Sequence, residues 1–528
     1  MKKLIGFLIT KEKKEINIDI FNAGLKLIHF KHSDYFIYLW GIGDIDNCKI
    51  NEKYSLSFPL SDNLLDRNVI IYIEKDKIIV ENDWLGSIPV FYSSKELIVS
   101  TIANFCIKNK KIHNEGLSNF CEFGYSVFEQ TIFEEVKFMR YFSKLIITEN
   151  NIEIDYKEDF VLNEEIFKDK KTTDEVIQKM QNYIWNIESQ TSGEIIIPTS
   201  GGYDSRILNY LVKDKNRIRS FTYGISKNQY QSSEVVYAKK LSEILNIYWE
   251  QIDLKEYHKY IDQWFAIYGI STHLHGMYHI EFYTKILKKH KFLNPTLLSG
   301  IVGDLWATGN KFKPIRNPKE IIHLGYTHGL NLDLKYLLIN SKEELKKKFF
   351  SELKEYLQND RLRSIFVIRT KIILISYLTQ IPEYFGIPVW TPFLNFEIVH
   401  TILSLSDEQR ENRIWQRIFF RNQGINIEEM NLNCAKSNRL DYETARNYIF
   451  EPLSIKLLKN YISTKRINEI NNILNKKKSF FNTIKNEILF IPKVGGILRR
   501  LGFKNEYLTA LYEYYTIKAI EKGLKYEY

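Results

Sequence analysis

Short runs of hydrophobic residues recur along the first part of the chain, to about residue 160, and turn residues and charges separate them. Runs of this length between turn residues are typical of β-strands, and their close spacing favours packed antiparallel sheets. One helix is predicted in this part, at residues 114–123. The predicted strands cover residues 4–9, 35–40, 69–73, 77–81, 89–92, 97–100, 144–148 and 152–156.

The pattern changes at about residue 173, where short apolar strands begin to alternate with segments whose apolar residues recur at helical spacing. Alternation of this kind favours a parallel sheet with helices on both faces. Thr173 or Asp174 is the predicted cap of the first helix. The predicted helices cover residues 173–188, 206–212 and 233–245, and the predicted strands cover 194–198, 219–224, 248–254 and 294–299.

The remainder of the chain, from about residue 334, is predicted to be mostly helical, with lysines on the faces that carry no apolar residues. A chain of 528 residues is too long for one ordinary core. We therefore predict an α/β protein with three parts. An antiparallel β-rich sandwich covers residues 1–165, a parallel-sheet domain covers 170–440, and a helical carboxyl-terminal extension covers 441–528.

Composition narrows the functional classes. The chain is 44% hydrophobic and 26% charged, as expected for a globular protein. Its net charge is +10, but most lysines are mixed with acids, so we do not expect a nucleic-acid partner. No apolar run reaches the ~18 residues of a membrane span, and the apolar start is predicted to be a strand rather than a signal peptide. The four cysteines form no C-x-x-C pair, which suits a reducing cytoplasm.

The strongest chemical motif is IIIPTSGGYDS at residues 195–205, a buried-type strand that leads through glycines into a helix. Gly201 and Gly202 allow positive φ and a close approach of the backbone to an anion. The amides at the start of the helix, with the hydroxyls of Ser200 and Ser205, would form a nest for phosphates. Asp204 would repel a bare phosphate, which predicts a Mg²⁺ ion between them.

A second motif, LLSGIVGDLWATG at residues 297–309, places Asp304 just beyond another predicted strand. Because the carboxyl ends of parallel strands meet in one crevice, Asp304 is predicted to share the Mg²⁺ ion with Asp204. By itself Asp304 is equally well explained as a turn residue or a helix cap. Two later segments follow, WTPFLN at 390–395 and CAKSNRL at 434–440; Lys436 in the latter would ordinarily be a solvated surface lysine.

The loop is neither a Walker A motif nor a G-x-G-x-x-G motif. S-G-G-x-D-S resembles the motif of the ATP pyrophosphatase (PP-loop) superfamily. That resemblance implies binding of Mg·ATP through its β,γ-pyrophosphate, attack at the α-phosphate, and AMP plus pyrophosphate as products.

The motifs in this order, behind a β-rich amino-terminal part, resemble the asparagine synthetase family. Residues 298–304 are similar to its L-S-G-E-G-x-D-E, residues 392–395 to its P-F-L-D, and residues 82–92 to its R-D-x-x-G-x-x-P-L-Y. The resemblance implies a glutamine amidotransferase-like sandwich joined to a synthetase domain. It implies catalytic roles for Lys436 and Asp304, a metal site at Asp204 and Asp304, and ATP or pyrophosphate binding by Ser200, Gly201, Gly202, Asp204, Ser205, Tyr223, Gly224, Ser299 and Gly300.

The chain departs from this family at its catalytic positions. The family's glutamine-hydrolysing members have a cysteine directly after the initiator methionine, whereas Met1 is followed here by Lys2 and Lys3, and the first cysteine is Cys48. An amino-terminal thiol with its own α-amine as base cannot form, so we predict a structural role for the first domain and no glutaminase activity.

The synthetase motifs are altered as well. The family's acids are replaced by Ile301 and Leu305, and P-F-L-D has become P-F-L-N at Asn395. Similar losses occur in relatives that close a β-lactam or a lasso-peptide macrolactam, where the substrate itself supplies the amine.

The sequence therefore predicts an ATP- and Mg²⁺-dependent ligase that adenylates a small-molecule or peptide carboxylate and passes it to ammonia or an amine. Two alternatives stay open: a PP-loop enzyme that modifies tRNA, and a non-catalytic ATP-binding protein derived from a synthetase. His273, His275 and His279 are interpreted as a wall of the substrate pocket or as ordinary packing, rather than as a transition-metal site. We expect no membrane partner, and a homodimer is an expectation that the sequence leaves open.

Overall fold

Two six-stranded antiparallel sheets pack face to face in the amino-terminal part of the chain. The protein is described by a computed structural model that covers residues 2–50, 52–308, 312–327, 329–475, 486–491 and 494–527. The strand orders are β10-β8-β9-β1-β3-β2 and β12-β11-β7-β6-β5-β4. These strands are β1 Lys3–Thr10, β2 Lys26–His32, β3 Tyr35–Ile42, β4 Lys49–Ile50, β5 Lys53–Ser55, β6 Val69–Glu74, β7 Lys77–Asn82, β8 Phe91–Ser93, β9 Ile98–Ser100, β10 Lys137–Phe138, β11 Ser143–Ile147 and β12 Ile152–Tyr156.

The core between these two sheets consists of the inward-facing apolar side chains of both. Phe7 and Leu39 from the first sheet and Val80 and Leu145 from the second are completely buried there. Alternation along each strand turns the next residue to the opposite face, so Leu8 and Trp40 belong to a second core. That second core continues through the rest of the chain, and the sandwich is therefore joined to the remaining elements by a continuous apolar interface.

A five-stranded parallel sheet forms the centre of the second part, in the order β15-β14-β13-β16-β17. Its strands are β13 Ile195–Pro198, β14 Ile218–Thr222, β15 Tyr248–Gln251, β16 Thr296–Leu298 and β17 Val389–Trp390. The strand order reverses between β13 and β16, because successive strands are added outward from β13 on one side and from β16 on the other. In open sheets of this kind ligands bind in the crevice outside the carboxyl ends of the strands at the reversal.

Helices cover the parallel sheet and dominate the carboxyl-terminal part. They are α1 Asn114–Phe123, α2 Thr173–Gln190, α3 Tyr203–Leu211, α4 Ser233–Leu245, α5 Ile261–Tyr268, α6 Tyr278–Lys289, α7 Gly303–Ala307, α8 Ile322–Gly325, α9 Glu344–Leu353, α10 Asp360–Ile375, α11 Tyr377–Tyr384, α12 Phe396–Leu403, α13 Asp407–Arg410, α14 Ile414–Asn422, α15 Leu440–Ala445, α16 Ile455–Leu458, α17 Thr464–Asn475, α18 Val494–Arg500 and α19 Glu506–Lys525.

The α/β class, the antiparallel sheets and the parallel sheet are confirmed, whereas the boundaries at 165, 170 and 440 stay predictions. Five strands were not predicted: β2, which is mostly exposed, and the two- or three-residue strands β4, β5, β10 and β17. Strands this short leave too little periodicity to recognise. The predicted cap of α2 was wrong, because Thr172 is the cap and forms a reciprocal capping box with Glu175.

The stretch Asp360–Tyr384, which comprises α10 and α11, is the one segment of the described residues with the length and apolar composition of a membrane span. Its most apolar part is 72% buried inside the fold. Ile365, Phe366 and Val367 belong to the large core that joins the two parts of the chain. Helices α10 and α11 are therefore core helices of the fold.

Candidate active site at the carboxyl edge of the parallel sheet

The two motifs predicted to act together lie side by side at the strand reversal. The first motif follows β13 and the second follows β16, and β13 and β16 are neighbours in the sheet. A Cβ atom added to Gly303 would lie 2.7 Å from Cγ of Asp204, and one added to Gly300 would lie 3.5 Å from the amide nitrogen of Ser205. The two loops are thus in direct contact, as the predicted convergence of Asp204 and Asp304 requires.

The turn of the first motif depends on Gly201. Its φ is +70°, in the left-handed region, and a Cβ atom here would lie 2.4 Å from Cβ of Tyr237 in α4. The seryl hydroxyls close the turn from inside: Ser205 Oγ accepts from the amide of Ser200 at 3.2 Å, and Ser200 Oγ accepts from the amide of Gly202 at 3.3 Å. The loop is therefore narrow, closely packed on α4 and internally bonded.

Helix α3 begins earlier than predicted, at Tyr203 rather than Arg206, so Asp204 and Ser205 lie in its first turn. Gly202 occupies the N-cap position and carries no side chain that could accept from the amides of that turn. Those amides and the positive end of the helix dipole are therefore directed to the crevice. The prediction of a phosphate nest in Ser200, Gly201, Gly202, Asp204 and Ser205 is compatible with this geometry, and it stays a prediction.

Arg206 holds the glycine loop in place through hydrogen bonds, and this role was not predicted from the sequence. Its completely buried guanidinium donates to the carbonyl oxygen of Gly201 at 2.7 Å and to both carboxylate oxygens of Glu428 at 2.6 and 3.0 Å. Bidentate charge-assisted bonds of this kind hold their partners in one orientation. Its position directly after S-G-G-Y-D-S was the available signal.

A buried polar network supports the same loop from below. Asn209 donates to Thr199 Oγ1 at 2.9 Å and to the carbonyl of Ser205 at 2.8 Å, and it accepts from Ser220 Oγ at 2.7 Å. The hydroxyl of Thr222 donates to the carbonyl of Thr199. Buried polar groups that are satisfied in this way rigidify their surroundings.

Arg413 connects the two predicted metal ligands. Its guanidinium nitrogens lie 3.8 Å from a carboxylate oxygen of Asp204 and 3.8 Å from one of Asp304. The amide of Gln416 is 3.4 Å from the other oxygen of Asp204. Asn412 and Arg413 have φ values of +48° and +59°, a rare pair for residues with side chains. Strain of this kind concentrates at functional sites, and no sequence motif indicated it.

These two carboxylates fit a divalent cation. They come from different loops, converge on the same positive group, and supply the hard oxygen donors that Mg²⁺ prefers. Among the described residues no cluster of three or more His, Cys, Asp or Glu side chains could hold a metal by itself. A Mg²⁺ ion here would therefore take its remaining ligands from ATP and water, as is usual at nucleotide sites.

The turn after β16 is built by Ser299 and its neighbours. The Ser299 amide donates to the carbonyl of Trp390 in β17 at 3.0 Å, and its hydroxyl accepts from the amide of Ile301 at 3.3 Å. Ile301 is 5% exposed, and Val302 adopts a left-handed φ of +56° before α7 begins. Ser299 and Gly300 are thus close to the phosphate loop, although their predicted contact with ATP is not tested. Gly309, the last residue of this motif, lies outside the described residues.

Tyr223 and Gly224 follow β14 at the same edge. The Tyr223 ring packs against Tyr278, His279 and Phe282 at centroid distances of 5.4–5.9 Å. A Cβ atom on Gly224 would lie 2.2 Å from the carbonyl oxygen of Gln229, so the loop needs glycine here. Tyr223 thus belongs to an aromatic wall, and its predicted role on the adenine side is not tested.

Lys436 lies near this edge because the preceding residue, Ala435, forms backbone hydrogen bonds with residues at and just before the start of α4. The carbonyl of Ala435 accepts from the amide of Ser233, the first residue of α4, at 2.9 Å, and the Ala435 amide donates to Gln231 at 2.6 Å. Helix α4 leads from β14 to β15, so its amino terminus lies at the carboxyl ends of the strands. The exposed side chain of Lys436 therefore starts from this edge of the sheet, and its catalytic role stays a prediction.

Asn395 and Lys3 have structural partners. Asn395 caps α12 through the amide of Ile398 and donates to Asp66 of the sandwich at 3.2 Å. Lys3 is buried, 3.2 Å from Glu383 in α11. Burial lowers the pKa of the Lys3 ammonium to about 8, although Glu383 opposes this. The start of β1 is thus tied to the second part of the chain, and the structural role of the first domain stays a prediction.

Comparisons with known proteins leave function to be argued from the site itself. No family model matches the sequence, and no curated protein matches it. Among solved structures, an NH3-dependent NAD synthetase from Campylobacter jejuni is similar at 17% identity over 35% of this chain and 76% of that chain, with a TM-score of 0.19. A similarity this low carries no argument about fold or activity.

Proposed function

We propose that this protein is an ATP-dependent amide-forming ligase that adenylates a carboxylate and transfers the acyl group to ammonia or an amine. One observation carries the proposal. Asp204 and Asp304, from the loops after β13 and β16, both lie near the guanidinium of Arg413, beside the glycine turn of the first motif at the strand reversal. A helix amino terminus with two acids beside it forms an arrangement suited to a triphosphate with its cation.

In the proposed reaction the residues act mainly by positioning. The turn at Gly201 and the first amides of α3 would hold the pyrophosphate, and Arg206 and Asn209 keep that turn rigid. Mg²⁺ held by Asp204 and Asp304 would neutralise charge on the phosphates. The substrate carboxylate would attack the α-phosphate in line, pyrophosphate would leave, and Lys436 would stabilise the negative charge that develops on the acyl-adenylate and on the later tetrahedral intermediate.

The test is ATP–pyrophosphate exchange with Mg²⁺, against pools of carboxylate metabolites, for the unaltered protein and for Asp204→Ala. Asp76→Ala, at an exposed hairpin turn between β6 and β7, is the matched control. Exchange that depends on one pool, is lost in Asp204→Ala and is kept in Asp76→Ala supports adenylation. AMP release that begins only when an amine is added supports a ligase that requires both substrates.

A nucleotide-binding protein without turnover is the second candidate, and the buried apolar Ile301 at the turn after β16 favours it. Binding of ATP without exchange and without AMP release, across all carboxylate and amine pools, would replace the ligase proposal by this one. A tRNA-modifying enzyme would instead bind RNA with a steep dependence on salt.

The proposal also includes a cytoplasmic location and a homodimer. Cys48, Cys106, Cys121 and Cys434 are free thiols, and the first three are buried, which suits a reducing compartment. Analytical ultracentrifugation of the whole chain tests the dimer.

A further inference from the structure

A carboxylate–histidine pair lies at the same edge of the sheet as the proposed active site. His275 Nε2 is 2.9 and 3.1 Å from the two carboxylate oxygens of Asp441 in α15. The same carboxylate accepts from the hydroxyl of Tyr257 at 2.5 Å and from that of Tyr512 in α19 at 2.9 Å. Three donors from three separate segments thus fix one buried carboxylate.

The hydrogen bonds to Asp441 determine its ionisation and the position of the proton between Asp441 and His275. Burial would raise the pKa of the Asp441 carboxyl, but His275, Tyr257 and Tyr512 together hold it well below its usual range. An ionised carboxylate only accepts hydrogen bonds, so Nε2 of His275 carries a proton and Nδ1 is the ring nitrogen that can exchange a proton with a bound substrate. His275 is therefore oriented with its basic nitrogen away from Asp441.

The three neighbouring histidines are not suited to accept a proton. Burial lowers the pKa values of His258, His273 and His279 to about 3, so these rings are weak bases that take up no proton near neutral pH. Their exposed fractions are 0%, 2% and 8%, whereas 20% of the His275 side chain is exposed. His275 alone in this group of four combines a carboxylate partner with access to solvent.

The position of the pair follows from the direction of the helices. A helix that links two parallel strands runs against them, so the amino termini of α6 and α11 lie at the carboxyl edge of the sheet. His275 comes just before α6, and Tyr278 and Tyr377 begin α6 and α11. The hydroxyls of Tyr278 and Tyr377 are 3.2 Å apart.

These tyrosines are partly accessible to solvent rather than completely enclosed in the core. Tyr223, Tyr278 and Tyr377 each keep part of their surface exposed, yet burial raises the pKa of every one of their hydroxyls. The wall extends from the end of β14 to the start of α11, which leads into β17, and thus spans the strand reversal. Accessible aromatic faces attract ammonium groups.

The segment that contains Lys436 leads directly to Asp441 and is hydrogen-bonded to the loop after β14. The amide of Arg439 donates to the carbonyl of Ile225 in the loop after β14 at 2.7 Å, and the Ala435 amide donates to Gln231 in the same loop. The chain from Lys436 to Asp441 therefore runs along one loop of the carboxyl edge. Lys436 and Asp441 are thus joined by a short segment that follows the loop after β14.

We propose that the tyrosines of this wall receive the amine substrate as its ammonium ion and that His275, oriented by Asp441, removes its proton. This inference rests on the proposed function and assigns its second half-reaction. The ammonium nitrogen gives one proton to Nδ1 of His275, and the lone pair that this frees forms the C–N bond at the acyl carbon. The acyl–oxygen bond to AMP breaks with its electron pair leaving on AMP, and the second proton that the nitrogen loses passes to solvent water. General bases of this kind contribute about 10²- to 10⁴-fold.

Tyr512 is a positioning residue in this scheme, and it gives the carboxyl-terminal helix a role. It acts through Asp441 and would not contact the amine. The groups that face His275 and affect its protonation come from every packed element; they are Asp441, Tyr257, His258, His273, Tyr278, His279, Tyr512 and Tyr515. Tyr512→Phe should therefore shift the pH profile of amide formation rather than abolish activity.

The decisive experiment compares two nucleophiles in the full-length protein with Mg·ATP and the carboxylate pool that supports exchange. Hydroxylamine is largely a free base at neutral pH, whereas methylamine is almost entirely methylammonium and must lose a proton before it attacks. His275→Gln can still donate to Asp441 but cannot accept a proton. We expect it to keep pyrophosphate exchange and hydroxamate formation within a few-fold and to lose methylamide formation by about 100-fold.

Equal losses of exchange, hydroxamate and methylamide in His275→Gln would overturn the inference and leave a structural role, as would no loss at all. Asp441→Asn is the second variant, and it should also impair methylamide formation more than hydroxamate formation. If the unaltered protein shows neither exchange nor hydroxamate, the proposed function fails and this inference falls with it. Exchange without selective loss overturns the inference alone.

Discussion

Gly303 lies so close to Asp204 that a Cβ atom on the glycine would come within 2.7 Å of Cγ and 2.8 Å of Oδ1 of the aspartate. The start of α7 and the first turn of α3 can therefore pack this closely only because residue 303 has no side chain. Gly303→Ala should displace the Asp204 carboxylate without unfolding the protein. We expect Mg·ATP affinity to fall by about tenfold or more, since each 1.4 kcal/mol is a factor of ten.

Isothermal titration calorimetry with Mg·ATP checks this prediction, and the melting temperature reports on folding. Gly300→Ala is the graded comparison, because its Cβ would meet its nearest neighbour at an ordinary contact distance of 3.5 Å. Equal losses in the two variants would contradict the proposed importance of the Gly303–Asp204 contact.

Gly201→Ala should affect the phosphate loop more severely. The residue has a φ of +70°, where a side chain costs about 1–2 kcal/mol, and the new Cβ would also clash with Tyr237. We expect both a lower melting temperature and loss of nucleotide binding. Gly202→Ala is the matched variant, with a φ of −67° and only Ser200 Oγ near its Cβ, and it should keep the melting temperature of the unaltered protein.

Arg413 should compete with divalent cations in the nucleotide-free protein, because it lies within 4 Å of both carboxylates. Arg413→Gln removes that positive charge, and we expect Mn²⁺ to bind about tenfold more tightly, a modest change because the site is partly exposed. Electron paramagnetic resonance of free Mn²⁺ measures the affinity. Arg417→Gln, which changes an exposed arginine of α14, the helix that follows Arg413, is the charge-matched control. The same gain in both variants would mean a general charge effect.

Lys3 should make stability depend on pH. Its folded pKa of about 8 is below the ordinary 10.5, so between these values the unfolded chain binds more protons. The free energy of unfolding should therefore rise as pH increases through this window, by at most about 3.5 kcal/mol at 1.4 kcal/mol per pKa unit. Urea unfolding on the two sides of the window measures the rise.

Lys3→Met should lack that rise while it keeps the bidentate bond between Arg67 and Glu383. Other titrating groups cancel when the variant is compared with the unaltered protein. Lys2→Met, which removes an exposed ammonium, should behave like the unaltered chain. A parallel pH dependence in all three proteins would show that Lys3 does not titrate in this window.

Long periodic segments were predictable because their periodicity directly reflects burial. Helices α1 and α4 were predicted with their observed bounds, and all eight predicted amino-terminal strands agree within two residues at each end. The strand predicted at 89–92 begins at Phe91. The predicted strand 248–254 ends at Gln251. Boundaries depend on tertiary contacts, which the periodicity of one segment does not contain.

The sequence by itself determined the class of the fold, the turn at Gly201 and the pairing of two acids that follow neighbouring strands. These are local properties: hydrophobic period, glycine geometry and the rule that parallel strands end at one edge. Only the tertiary structure decided that Arg413 lies between those acids, that Arg206 holds the turn, and that His275 and Asp441 meet. Such contacts join segments that are distant in the chain, and their energies come from burial and charge, which local patterns do not encode.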